Sequence, residues 1–208
     1  FPTFKEDAQQ NKQLILRKRY WLYYALTFMS GARRQIFVVF AGFMMVEKFH
    51  YSVADIALLY LINHVINWLF ARRIGVLIGH IGERLALQIE YVGLIVIFAG
   101  YALVESSDVA ASLYVVDHLF FALSIAMKTY FQKIADPADI ASTASVSFTI
   151  NHIAAVVIPV LFGALWLVSP ASVFWLGSAM AVVSLALAFN VPKVPDVGNE
   201  TFYKLAKD

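Results

Sequence analysis

Cysteine does not occur among the 208 residues. That excludes disulfides, thiolate metal sites and cysteine nucleophiles. Charge is scarce as well: Asp, Glu, Lys and Arg make up 14% of the chain, against about a quarter in ordinary soluble domains. The opening stretch Phe1–Arg19 is polar and basic and lacks the apolar core of a secretory signal peptide. No nucleophile–base–orienter set and no glycine-rich nucleotide loop stands out, and the loops are too short to hold a catalytic domain, so an enzyme is not expected. Nucleic acid is not expected as a partner either, because the basic residues follow membrane topology and form no binding module.

What fills the chain instead is apolar. Hydrophobic residues reach 61%, with a mean hydropathy of +0.71. The reading is an all-α, multi-pass integral membrane protein in contact with membrane lipid. The chain begins with Phe rather than Met, which points to part of a longer or processed polypeptide.

Helix-length logic predicts six spans: Trp21–Val46, Val53–Phe70, Leu85–Val104, Val109–Met127, Pro137–Val168 and Ala171–Asn190. Ala71–Arg84 and Lys128–Asp136 read as longer polar connections. Asp136 before Pro137 reads as an N-cap followed by proline at the first helical position. Lysine and arginine crowd one side of this topology: Lys5, Lys12, Arg17–Arg19, Arg72, Arg73, Arg84, Lys128, Lys133, Lys193, Lys204 and Lys207. The other side has Lys48 alone. The positive-inside rule then puts both termini in the cytoplasm, with a bacterial inner membrane as the expected setting.

Arg33 and Arg34 interrupt the first span near its midpoint. Charge at that depth is costly and faces protein or a water-filled path. Four spans are polar at mid-depth. The second carries Asn63, His64 and Asn67, with Tyr60 on the same face. The fourth carries Asp117 and His118, the fifth Asn151 and His152, and the first Arg34 on a stripe with Thr27 and Ser30. The third and sixth lack such a layer, apart from Glu90 near one end. The expectation is four helices around a wet cavity, with the third and sixth as lipid-facing support.

Gly75 to Arg84 reads Gly-Val-Leu-Ile-Gly-His-Ile-Gly-Glu-Arg. This resembles the loop signature of the major facilitator superfamily, approximately Gly-x-Leu-x-Asp-Arg-x-Gly-Arg-Lys/Arg. Gly75, Leu77, Gly82 and Arg84 match. Gly79 stands at the acidic position, His80 at the first basic one and Glu83 at the next. Facilitators are built from two six-helix halves with a site near the midplane. The resemblance covers nearly the whole chain as the carboxyl-terminal half. It implies a cytoplasmic linker over 1–19, a half-bundle over 20–191 and a cytoplasmic tail over 192–208. It further implies alternating-access transport driven by an ion gradient, opposite an amino-terminal half in the same chain, in a separate chain or in a second copy.

The expected substrate contacts are Arg33, Arg34, Asn63, His64, Asn67, Asn151 and His152. Arg34 reads either as counter-charge for an anion or as an internal partner of Asp117. Arg33, rotated off the polar stripe, reads as a partner of a neighbouring carboxylate or carbonyl. Asp117 and His118 form a candidate proton relay. The loop-motif residues Gly75, Gly79, His80, Gly82 and Arg84 read as a gate. Glu90 joins it, as a partner for Arg84, Arg72 or Arg73. The midplane charge count favours a small organic anion or anionic chelate. A metal carrier using His64, His118 and His152, and a scaffold that keeps the fold without transport, stay open. No cofactor or resident metal is expected.

Overall fold

The computed structural model describes residues 16–203. Most of the expected linker and the end of the expected tail lie outside these residues, as do Lys5, Lys12, Lys204 and Lys207. The described chain is all-helical: α1 (Trp21–Gln35), α2 (Gly42–Glu47), α3 (Val53–Ile81), α4 (Glu83–Leu103), α5 (Ser107–Phe121), α6 (Ile125–Ile134), α7 (Ile140–Trp166) and α8 (Pro170–Ala188). Five helical runs are long and apolar enough to cross a bilayer: Val53–Ile81, Glu83–Leu103, Ser107–Ile134, Pro137–Trp166 and Pro170–Ala188. They mark an integral membrane protein.

The expected first span is helical from Trp21 to Glu47, but it is not uniform and stands apart from those five. Between α1 and α2, residues Ile36–Ala41 form a π-helical stretch that starts two residues after Arg34. Such stretches are rare and recur at functional sites.

Local chemistry sets several helix ends. Ser52 caps α3: its Oγ accepts from the Asp55 N–H at 3.2 Å, while Asp55 Oδ2 accepts from the Ser52 N–H at 2.9 Å. Asp136 Oδ1 accepts from the Ala138 N–H at 3.0 Å ahead of α7, as the Asp-Pro pair predicts. The expected loop Ala71–Arg84 is corrected. Helix α3 runs through it to Ile81, because Ile74 and Ile78, one turn apart, are buried and hold the extension down. Gly75, Gly79 and His80 are therefore helical, and nothing stands within 4 Å of a side chain added at either glycine. The turn falls at Gly82, whose φ of +81° only glycine adopts readily. Helix α6 likewise carries the chain through most of the expected Lys128–Asp136 connection.

The third and sixth spans are not outer supports. Helices α4 and α8 pack along each other at the centre of the bundle, with Leu94, Phe98, Phe174 and Ala181 buried between their neighbours. Gly177 lets α8 approach Ile36 and Phe98, and Ser178 Oγ donates to the Ile95 carbonyl at 3.1 Å. Each still turns one apolar stripe outward, including Val92 and Val96 on α4. Helices α1 and α7 pair on one flank, and α3 lies against α5 on the other.

The α1–α7 crossing is close at Gly31. A Cβ there would stand 2.6 Å from Asn151 Oδ1 and 3.3 Å from Ala154 Cβ. Small residues permit such approach between membrane helices. Ala141, Ser145 and Thr149, small residues recurring every fourth position on α7, are exposed and do not line this crossing. The buried stripe of α7 is Ser147, Ala154, Ile158, Phe162 and Trp166.

Candidate functional site

A polar cleft of about 340 Å³ opens between α1, α3 and the α5–α6 run. Tyr60, His64 and Asn67 enter it from α3, at the spacing that shares one helix face. Arg34, Phe37 and Val38 enter from α1 and the π-helical stretch. His118, Phe121 and Ser124 enter from the end of α5 and the turn after it.

The His64 and His118 rings face each other with centroids 5.9 Å apart, 30° from parallel. His64 Nδ1 lies 2.8 Å from the Tyr60 carbonyl. A carbonyl only accepts, so Nδ1 carries the proton and Nε2 keeps its lone pair when the ring is neutral. On gaining a proton the same ring donates from both nitrogens. Arg34 is exposed to the cleft and takes part in none of the ion pairs among the described residues. Its charge therefore faces the cleft uncompensated.

Behind the cleft lies a buried charged cluster. Arg33 is 1% exposed, and its Nη2 sits 3.7 Å from Glu90 Oε1. That is an ion-pair distance, longer than a hydrogen bond. Arg33 Nε donates to the Met29 carbonyl at 3.3 Å, and the guanidinium lies 4.6 Å from the centre of the Tyr91 ring. Asp117 is buried within electrostatic range of both Arg33 and Glu90. One guanidinium thus pairs with Glu90 and lies within electrostatic range of Asp117 inside the bundle.

This arrangement changes several expected placements. Asp117 associates with Arg33, not Arg34, because the two arginines are about 100° apart around α1. Glu90 is not a partner of Arg84, Arg72 or Arg73. It lies two turns into α4 on the buried stripe with Leu87 and Leu94, so it meets Arg33. Asn63 faces the bundle interior, 1% exposed, rather than the cleft. Asn151 donates to the Ser147 carbonyl at 3.0 Å, and His152 Nδ1 lies 2.9 Å from the Phe148 carbonyl. Both sit on the exposed face of α7 and do not line the cleft. Asp117 and His118 are neighbours in sequence but part company, Asp117 into the cluster and His118 to the cleft.

His64, His118 and His152 do not converge. Among the described residues no three His, Asp or Glu side chains gather in metal-binding geometry. Of the loop-motif residues, Gly82 and Arg84 border a separate cavity at the start of α4, and Gly75, Gly79 and His80 lie on the exposed surface of α3. Two contributors escape sequence reasoning. Tyr91 gives no signal, being one aromatic among many. Gly31 gives a faint one, as a lone glycine between polar residues at mid-span.

No protein-family model matches the chain, and no curated protein or solved structure matches it. The class that the fold itself defines is an all-helical integral membrane protein with a polar cleft set into its bundle.

Proposed function

We propose that this chain is the carboxyl-terminal six-helix half of a facilitator-type secondary transporter, and that it moves a small organic anion by alternating access. In this reading the Trp21–Glu47 run is the first span, which joins the five apolar ones to make six. Arg34 is thirteen residues from either end of that run, about 20 Å at 1.5 Å per residue. The observation that carries the proposal is Arg34 itself, an unpaired guanidinium at that depth, opening on a cleft with His64, Asn67 and His118. Guanidinium forks match carboxylate and phosphate, and intramembrane charge of this kind marks a solute path.

Two further features support the reading. The exposed polar face of α7 needs cover within a bilayer, which an opposing half or a second copy supplies. The buried cluster bears on coupling. Arg33, Glu90 and Asp117 sum to −1 if all are ionised, and an uncompensated charge at that depth is costly. One proton on either carboxyl removes it. With its Nδ1–H committed to the Tyr60 carbonyl, His64 offers an anion a donor only when protonated, and protonation gives His118 a second donor and a positive charge. A proton and an anion are therefore favoured together, as in symport.

The test is uptake into sealed vesicles containing the intact protein, across a panel of carboxylates, phosphates and their chelates. Saturable uptake of an anion, lost in Arg34→Gln and accelerated by an inward proton gradient, is expected. Undiminished uptake by Arg34→Gln overturns the site. Absence of saturable uptake of any anion favours the scaffold.

A further inference from the structure

A second cavity system lies on the opposite, outward side of the bundle. An apolar groove of about 740 Å³ runs between α4, α5 and α8, walled by Ile89, Val92, Val96, Leu113, Val116 and Leu185. A smaller cavity of about 430 Å³ opens at the start of α4, bordered by Gly82, Arg84 and Lys193. The two are continuous, because Leu85, Gln88 and Phe189 line both.

The basic end is not neutralised. Neither Arg84 nor Lys193 takes part in an ion pair among the described residues. Glu83, the carboxylate next to Arg84, is buried and turned away to Lys133 Nζ, 2.6 Å distant. The Arg84 guanidinium lies 6.0 Å from the centre of the Phe202 ring. Phe202 is itself anchored, its N–H donating to the Asn190 carbonyl at 2.8 Å. From Leu85 to Ile97 the groove follows thirteen residues of α4, about 18 Å of helix. That suits an extended acyl chain within half a bilayer core of about 15 Å.

We infer that this continuous groove binds one anionic phospholipid, its phosphate between Arg84 and Lys193 and an acyl chain along α4. Charge complementarity selects the headgroup. The apolar groove on membrane-spanning helices selects a lipid over a free anion. The site sits where α3 turns into α4 at Gly82, so lipid binding there braces that turn. The inference requires only that these helices lie in a membrane, and it is independent of the transport reading.

The experiment is native mass spectrometry of the intact protein released from vesicles of equimolar phosphatidylglycerol and phosphatidylcholine. One retained phosphatidylglycerol per chain is expected. A basic side chain near an anionic bilayer surface contributes about fivefold in binding. Arg84→Gln with Lys193→Gln should therefore lower retention roughly 25-fold, and Arg72→Gln with Arg73→Gln should leave it unchanged. Val92→Trp, at a half-exposed groove position, should displace the lipid while circular dichroism stays that of the parent. Inorganic phosphate at millimolar concentration should not compete. Equal retention of phosphatidylcholine, equal loss in both double variants, undiminished retention in Val92→Trp, or competition by inorganic phosphate each overturns the inference.

Discussion

Arg33→Met separates the two adjacent arginines by their energetics. Arg33 is almost wholly buried, and its guanidinium lies against Glu90 and the Tyr91 ring, with Asp117 within electrostatic range. Methionine keeps most of the apolar volume and removes the cation, leaving two buried carboxyl groups without it. Breaking a buried pair from one side costs about 3–5 kcal/mol, since the remaining partner stays desolvated. For a chain of this size each kcal/mol lowers the midpoint by about 2–4 °C, so Arg33→Met should melt roughly 6–20 °C below the parent. Thermal unfolding followed in detergent micelles reads this directly. Arg34→Met, at an exposed and unpaired position, should lie within about 0.5 kcal/mol of the parent. The triple variant Arg33→Met, Glu90→Leu, Asp117→Asn removes all three charges and should recover most of the loss, because apolar replacement of a whole buried ionic group is often neutral. An Arg33→Met midpoint within 2 °C of the parent, or a triple variant no better than the single one, refutes the cluster as described.

Gly31→Ala places a methyl group against the Asn151 amide and should cost about 1–3 kcal/mol by overpacking, seen as a lower unfolding midpoint. Gly82→Ala forces a non-glycine residue to φ +81° and should cost a similar 1–3 kcal/mol without changing the cleft. Ser52→Ala removes the cap of α3 and should cost about 1 kcal/mol, with faster amide exchange confined to the first turn of that helix.

Helix ends are legible in the sequence where a cap is written out, as at Asp136–Pro137. They are not legible at 71–81, where Arg72 and Arg73 read as loop charge while Ile74 and Ile78 keep the helix docked. Membrane-spanning length is read easily, because apolar runs of 20 residues have few other causes. The depth of Arg34 along its helix is equally plain, but its azimuth is not. Thr27 and Ser30 suggest the wet face, yet both are buried. Small polar residues mark close helix contacts as readily as cavities, and periodicity does not separate the two. Glu90 illustrates the same limit. Its position near one end of an apolar segment suggests a surface partner, whereas burial is decided by the stripe it shares with Leu87 and Leu94.

In a chain without cysteine, a single introduced thiol is an unambiguous reporter of water and charge. Val38 lines the cleft one turn from Arg34, and Val96 lines the outward groove. With Val38→Cys and Val96→Cys compared in sealed bilayers, membrane-impermeant thiosulfonates should modify position 38 and spare position 96. The anionic reagent should outpace the cationic one at position 38, and that preference should vanish on adding Arg34→Gln. Equal inertness at the two positions, or no preference for the anionic reagent, contradicts an aqueous cleft whose charge is set by Arg34.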